Sequence, residues 1–315
     1  MNTTKAILIF SFLTVWHCPS RGQAAADSLR RAAAMEAMRP SISCEMSART
    51  GGDYDVRRDQ QLMEEGSTGI CTKAGVRAFS PVAGGKWGLV SASLRYDYIH
   101  QSHDQQMVVR DLGFGEQSHH LFGGNLMANV RTRLWGRPLV LVGTVGCEFS
   151  QRGYERWSAM GTAMLMLRQN SSTQLGVGLL CLVNTFSRFP VFPFFTYRHT
   201  FSPQWTLNLT LPRYHIAYTP SQSDKWSFGV GLDTGHFYLS PSDAGLPGHV
   251  RYSRLAGNIG PAFEHRFSRH LTVSAETGVS VIFSDRIREH NSSKELATVG
   301  EAPSAYFKIG LTQRF

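Results

Sequence analysis

The chain has 315 residues, 42% of them hydrophobic, with 30 Gly, 19 Phe, 10 Tyr and 6 Trp, and a formal net charge of +9. This length admits one large or two ordinary domains, and Gly, Asn or Arg breaks every long apolar stretch, which excludes membrane-spanning helices. Cys18, Cys44, Cys71, Cys147 and Cys181 are scattered without metal-ligand spacing, so no metal site and no cofactor is expected from them.

At the amino end, Lys5 precedes a short apolar run from Ala6 to Trp16, and small residues follow at Ala24, Ala25 and Ala26. A charged start, a short apolar stretch and a small-residue cleavage site predict a secretory signal. His17 is too large to precede a lipoprotein cleavage at Cys18, so ordinary cleavage is expected. The domain plan is a signal over 1–25, a short segment over 26–41 and a β-barrel over 42–315. Helical periodicity is confined to Ser28–Met38. In an exported chain the net positive charge is no nucleic-acid footprint; it suits a surface among lipopolysaccharide phosphates.

From residue 42 onward, alternating segments recur between turn residues. Ile70, Thr72, Ala74, Val76 and Ala78 oppose Lys73 and Arg77. Val90, Ala92, Leu94, Tyr96 and Tyr98 oppose Ser91, Ser93, Arg95 and Asp97. Phe122, Leu126, Ala128 and Val130 oppose Asn125, Asn129, Arg131 and Arg133. After the turn at 135–138, Leu139, Leu141, Val145, Cys147 and Phe149 oppose Thr144 and Glu148. Similar segments run through 157–167, 175–183, 192–201, 205–211, 213–218, 226–238, 249–267 and 271–283. Side chains alternate across a strand, so each segment has an apolar and a polar face. Repetition of this weak signal predicts an all-β, antiparallel transmembrane barrel, with apolar residues toward lipid and polar ones inside.

Counting back from the carboxyl end places connections near 80–86, 135–138, 168–173, 201–204, 219–225 and 267–270 on the periplasmic side. Those near 50–66, 100–118, 150–156, 186–191, 239–248 and 284–303 fall outside and are longer. The count reaches about fourteen strands if 42–49 is the first and Pro212 marks a hairpin, and about twelve otherwise; single-chain bacterial barrels have even numbers. Two aromatic girdles are expected. Trp87, Trp135, Phe201, Trp205, Trp226, Phe267 and Phe315 would form the periplasmic one, and Tyr98, Phe149, Trp157, Tyr238 and Phe283 the outer one.

The last segment, Ser304–Phe315, alternates Phe307, Ile309, Leu311 and Phe315 against Tyr306, Lys308, Thr312 and Arg314. It resembles the closing strand of bacterial outer-membrane barrels, whose terminal aromatic residue is read by the barrel-assembly machinery; Gln313 departs from that pattern. Pro190–Arg198 and Ser202–Pro212 are similar to a family of uncharacterised outer-membrane β-barrel proteins of Bacteroidetes. The resemblance implies a location in the outer membrane of a Gram-negative cell, among its lipid and lipopolysaccharide, and no activity.

The polar parity predicts a basic lumen: Lys73, Arg77, Arg95, Arg131, Arg133, Arg168, Arg198, Arg254, Arg266, Lys308 and Arg314 outnumber Asp97, Glu148, Asp233, Glu264 and Glu276. Rings of Arg and Lys favour anions, so a pore for small solutes is the first expectation. A structural or surface-interaction barrel is the second, since inward charges also serve to solvate a wall. A lipid-modifying hydrolase is the third, on His100-Gln-Ser102, where a His close to a Ser activates it as a nucleophile. No orienting acid is evident, and no enzyme is expected. The same loop carries His103, Asp104, His119 and His120 without fixed spacing, so no metal site is assigned there.

Overall fold

The computed structural model describes residues 39–58, 60–85, 88–103, 118–183, 190–240, 249–290, 292 and 294–315. The expected signal, nearly all of the 26–41 segment, Trp87, Asp104 and the side chains of Ser102 and His103 lie outside the described residues.

Alternation becomes sixteen strands. They are β1 (Ser41–Arg49), β2 (Asp53–Arg58), β3 (Gln61–Gly85), β4 (Gly88–His103), β5 (Ser118–Leu134), β6 (Arg137–Ser150), β7 (Gly153–Gln169) and β8 (Thr173–Val183). They continue as β9 (Val191–Thr200), β10 (Trp205–Thr210), β11 (Arg213–Tyr218), β12 (Asp224–Leu239), β13 (Val250–Arg266), β14 (Leu271–Glu289), β15 (Glu295–Glu301) and β16 (Ser304–Arg314). Each pairs antiparallel with its neighbours, and β1 closes the ring by pairing with both β3 and β16.

β1 and β2 are one stave interrupted at 50–52, where the ladder continues through Thr50 N–H to Ala305 O (2.9 Å) and Thr68 N–H to Gly52 O (2.9 Å). β15 and β16 are likewise one stave. Sixteen strands less these two junctions make a closed barrel of fourteen staves, the larger of the two expected counts.

The end that holds Pro40 and Phe315 is turned tightly. Trp135 and Gly136 connect β5 to β6 with φ of 50° and 75°, the doubly positive pair that matches the twist of a two-residue hairpin. At the far end Leu211 and Pro212 connect β10 to β11, so 205–211 and 213–218 are separate strands. Between β13 and β14, Gly260 and Gly278 lie back to back. A Cβ on Gly260 would come 1.9 Å from Thr277 O, and one on Gly278 would come 2.0 Å from Ile259 O, so neither accepts a side chain.

The middle of the wall shows its apolar parity outward. Leu94 is 67% exposed, with Leu126, Val145, Phe228, Phe283, Phe307, Ile309 and Leu311 also exposed, and at the tightly turned end Trp135 and Phe315 are exposed too. Cys44, Cys71, Cys147 and Cys181 are all free thiols.

Two expected loops are corrected. The stretches 50–66 and 284–303 are mostly strand, and their polarity is inverted. In β2, Tyr54 and Val56 are buried while Asp53 and Arg57 are exposed; in β14 and β15, Ile287 and Ala297 are buried while Glu295 is exposed. A wall that rises above lipid meets water outside, so burial gain puts apolar side chains inward, as in a soluble sheet. Tyr238 is corrected for the same reason: it is 3% exposed and belongs to this inner packing instead of the outer girdle.

Candidate functional site

The far end of the barrel holds a buried hydrophobic cluster among the described residues. Ile99 of β4 and Leu121 of β5 join Phe237 and Leu239 of β12, Val250 and Tyr252 of β13, Ile287 of β14 and Tyr54 and Val56 of β2 in one buried cluster. This packing crosses the interior. The rings of His119 (β5) and Phe237 (β12) stack with centroids 4.2 Å apart, although β6 to β11 lie between those strands in the sheet.

Charged groups bind the same region together. Glu148 of β6 accepts hydrogen bonds from Arg95 (2.7 Å), Arg156 Nε (2.8 Å) and the Tyr238 hydroxyl (3.2 Å), and His236 Nε2 lies 2.9 Å from it. Arg95 also reaches Asp97 at 3.1 Å, and Lys73 Nζ stands 3.9 Å from Asp97. On the opposite arc Arg254 bridges Asp285 (2.8 Å) and Glu301 (3.0 Å), with Arg49 on Glu301 and the Tyr252 hydroxyl on Asp285. These charges are mostly buried, so each depends on its partners for the hydration it has lost.

Below this packing the interior opens. A cavity of about 260 Å³ is lined by Glu45, Arg49, Lys73, Arg213, Asp233, Arg254, Glu276 and Lys308. A second cavity of about 260 Å³ shares Glu45, Arg213, Glu276 and Lys308 with it and reaches Lys225 and Glu264 near the Phe315 end. Arg213 pairs with Glu276 at 2.8 Å and Lys308 with Glu45 at 2.8 Å; Lys225 and Glu264, half exposed, are 3.5 Å apart.

Residues 133–314 match the family model of a domain of unknown function, DUF6268. The chain belongs to that family. The matched stretch holds Glu148, His236, Arg254, Asp285 and Glu301, and also the segments 190–198 and 202–212. No curated protein matches the sequence. Among solved structures the chain is similar to the COG4313 outer membrane channel from Pseudomonas putida F1, with 9% identity and a TM-score of 0.45 over 88% of this chain and 96% of that one. It is also similar to a Pseudomonas aeruginosa FadL homologue, with 8% identity and a TM-score of 0.39 over 88% of this chain and 90% of that one. A third similar structure is the translocator domain of the autotransporter NalP from Neisseria meningitidis, with 12% identity and a TM-score of 0.35 over 93% and 98%.

Within this DUF6268 barrel the expected basic residues fall into two groups. Lys73, Arg95, Arg254 and Lys308 are ion-paired. Arg77, Arg131, Arg133, Arg198 and Arg266 make no ion pair among the described residues and are exposed. Their registers share the inner parity. Arg77 is opposite Arg95, Arg131 and Arg133 are in step with buried Leu121, Arg198 is opposite Gln174, and Arg266 is in step with Glu264. Arg168 is a correction. A bulge at Leu167 sets it opposite Leu175, which shares the parity of exposed Val177 and Leu179, so it joins the outer face. Arg314 donates to Thr272 Oγ1 at 3.2 Å.

Among the described residues, the imidazoles of His100, His119 and His120 form no metal-binding group. His119 and His120 are consecutive on β5 and face opposite sides; His119 packs on Phe237 inside, while His120 Nδ1 meets Tyr96 Oη at 2.9 Å. His100 Nδ1 lies 3.3 Å from Ser118 Oγ, across the strand pair. Sequence reasoning missed Glu45, Arg49, Arg213, His236, Asp285 and Glu301. Glu45 and Arg49 were visible as one polar parity of β1; Asp285 and Glu301 were hidden in the supposed loop, where the inverted alternation was the available signal.

Proposed function

We propose that this chain is an outer-membrane β-barrel that passes small solutes, with a preference for anions, and whose outer mouth is narrowed by the buried cluster. The observation that carries this reading is the charged, unfilled interior. Fourteen staves enclose more width than side chains can fill, unlike the wall of about eight strands, and several arginines toward the Phe315 end have no ion-pair partner among the described residues. The exposed apolar band with aromatic residues at both ends supports placement in a bilayer. The signal expected over 1–25, the likeness of 190–198 and 202–212 to Bacteroidetes barrels, and the terminal strand suited to the barrel-assembly machinery support the outer membrane. The net charge of +9 suits a surface among lipopolysaccharide phosphates. Lys308, Ile309, Leu311 and Phe315 then lie toward the periplasm and the packed cluster faces outside.

The second reading is a structural or surface-interaction barrel, favoured by the buried cluster at the mouth. Planar-bilayer recording of the purified protein separates the two. The pore reading expects conductance with anion-selective reversal potentials, rare in the wild type and frequent when Phe237 and Leu239 are changed to Ser. Silence in both proteins would establish the structural reading.

A further inference from the structure

Beside the mouth packing, three side chains from separate parts of the chain converge. Glu155 stands at the start of β7, His249 just before β13 and His290 just after β14. Glu155 is 2% exposed, and its Oε1 accepts from the Ser150 hydroxyl, which holds the carboxylate in place. Its other oxygen, Oε2, lies 2.9 Å from His249 Nε2 and 3.7 Å from His290 Nδ1, and the two imidazole rings are 4.3 Å apart. The three atoms all lie within 4.8 Å of one another. Each is closed to solvent, and none makes an aligned hydrogen bond.

Three buried polar atoms left unsatisfied in one place are costly, since each has lost its hydration. A shared cation would satisfy all of them at once. Metal bonds of about 2.0–2.2 Å to imidazole nitrogen and carboxylate oxygen set donor atoms roughly 3–3.5 Å apart, and the two nitrogens stand 2.9 and 3.7 Å from Glu155 Oε2. Two nitrogen donors disfavour calcium and magnesium, which take oxygen ligands. We propose that Glu155, His249 and His290 form a site for a divalent transition-metal ion of the zinc class, with a fourth position left for water. The imidazole edges are partly exposed, at 34% and 21% of the side chain, so an ion can enter. The positive charge of nearby Arg251 opposes a cation and limits affinity. Because β8 to β12 separate β7 from β13 in the sheet, a bound ion clasps opposite sides of the mouth. The site stands whether or not the barrel conducts.

The test uses the folded, full-length barrel in detergent, freed of metal by chelation and titrated with Zn²⁺ alone by calorimetry. One ion per chain is expected, with a rise in the thermal unfolding midpoint. His249→Ala combined with His290→Ala, and separately Glu155→Gln, should weaken binding by about tenfold or more and abolish that rise. Heat-modifiable gel mobility verifies that each variant is folded. If Glu155→Gln fails to fold, His249→Ala alone, at a partly exposed loop position, decides. A wild type with no saturable binding overturns the proposal, as does a folded histidine variant that binds with wild-type affinity and stoichiometry.

Discussion

The mid-wall of this barrel and its far end follow the same strand geometry with opposite polarity. Along β16, Phe307, Ile309 and Leu311 face outward and Lys308 faces in toward Glu45. Along β2, only a few residues from the end of β1, Tyr54 and Val56 face inward and Arg57 faces out. The difference lies in the medium outside the wall. Lipid rewards apolar side chains on the outer face, whereas water leaves the interior as the only place to bury them. With the inversion the far end gains a cohesive core. The end near Phe315 keeps its space and several arginines that make no ion pair among the described residues.

The largest expected effect concerns the two ends of β16. Phe307 and Phe315 are both exposed on the outer face, so loss of apolar contact with lipid would be similar for each, on the order of 2 kcal/mol. If the terminal aromatic is an assembly signal, Phe315→Ser removes most of the folded barrel in vivo while Phe307→Ser removes little. Heat-modifiable mobility of outer-membrane fractions measures this, and equal yields would remove any special role for the terminus.

Next in size is the charge cluster at the mouth. Glu148→Ala strips Arg95, Arg156 and Tyr238 of a shared acceptor, leaving Arg95 with Asp97 and taking the carboxylate from buried Arg156. A loss of about 3–5 kcal/mol is expected, as for breaking a buried ion pair. Denaturant unfolding of the refolded barrel checks it, and an unchanged midpoint would mean that water reaches this cluster freely.

A third expectation sharpens the contrast through selectivity. Changing Arg131 and Arg133 to Glu should shift reversal potentials toward cations, because neither makes an ion pair among the described residues and a narrow passage strengthens fixed charge. Lys308→Ala, which removes a paired charge, should move them less. Equal shifts would show that pairing does not govern the interior field.

The smallest effect is expected at Lys225 and Glu264, 3.5 Å apart and both near 40% exposed. Glu264→Ala should cost under about 1 kcal/mol, since solvent screens an exposed pair. A loss as large as that of Glu148→Ala would end the distinction between the two halves.

What the sequence determined by itself was the wall. Period-two alternation, the Trp135-Gly136 turn and the Pro212 hairpin are local properties, and they lead to twelve or fourteen antiparallel staves and to one shared parity for Arg95 and Asp97 on β4. What only the tertiary structure decided was the interior at the far end. Glu148 meets His236 across 88 residues of chain and Arg49 meets Glu301 across 252, and alternation says which face a residue takes but not which residue it will face across the lumen. One displaced residue is enough to mislead parity, as the bulge at Leu167 does for Arg168. The inverted strands at 53–58 and 295–301 read as polar loops for a physical reason: the test for a barrel strand assumes lipid outside, and there the wall has already risen above it.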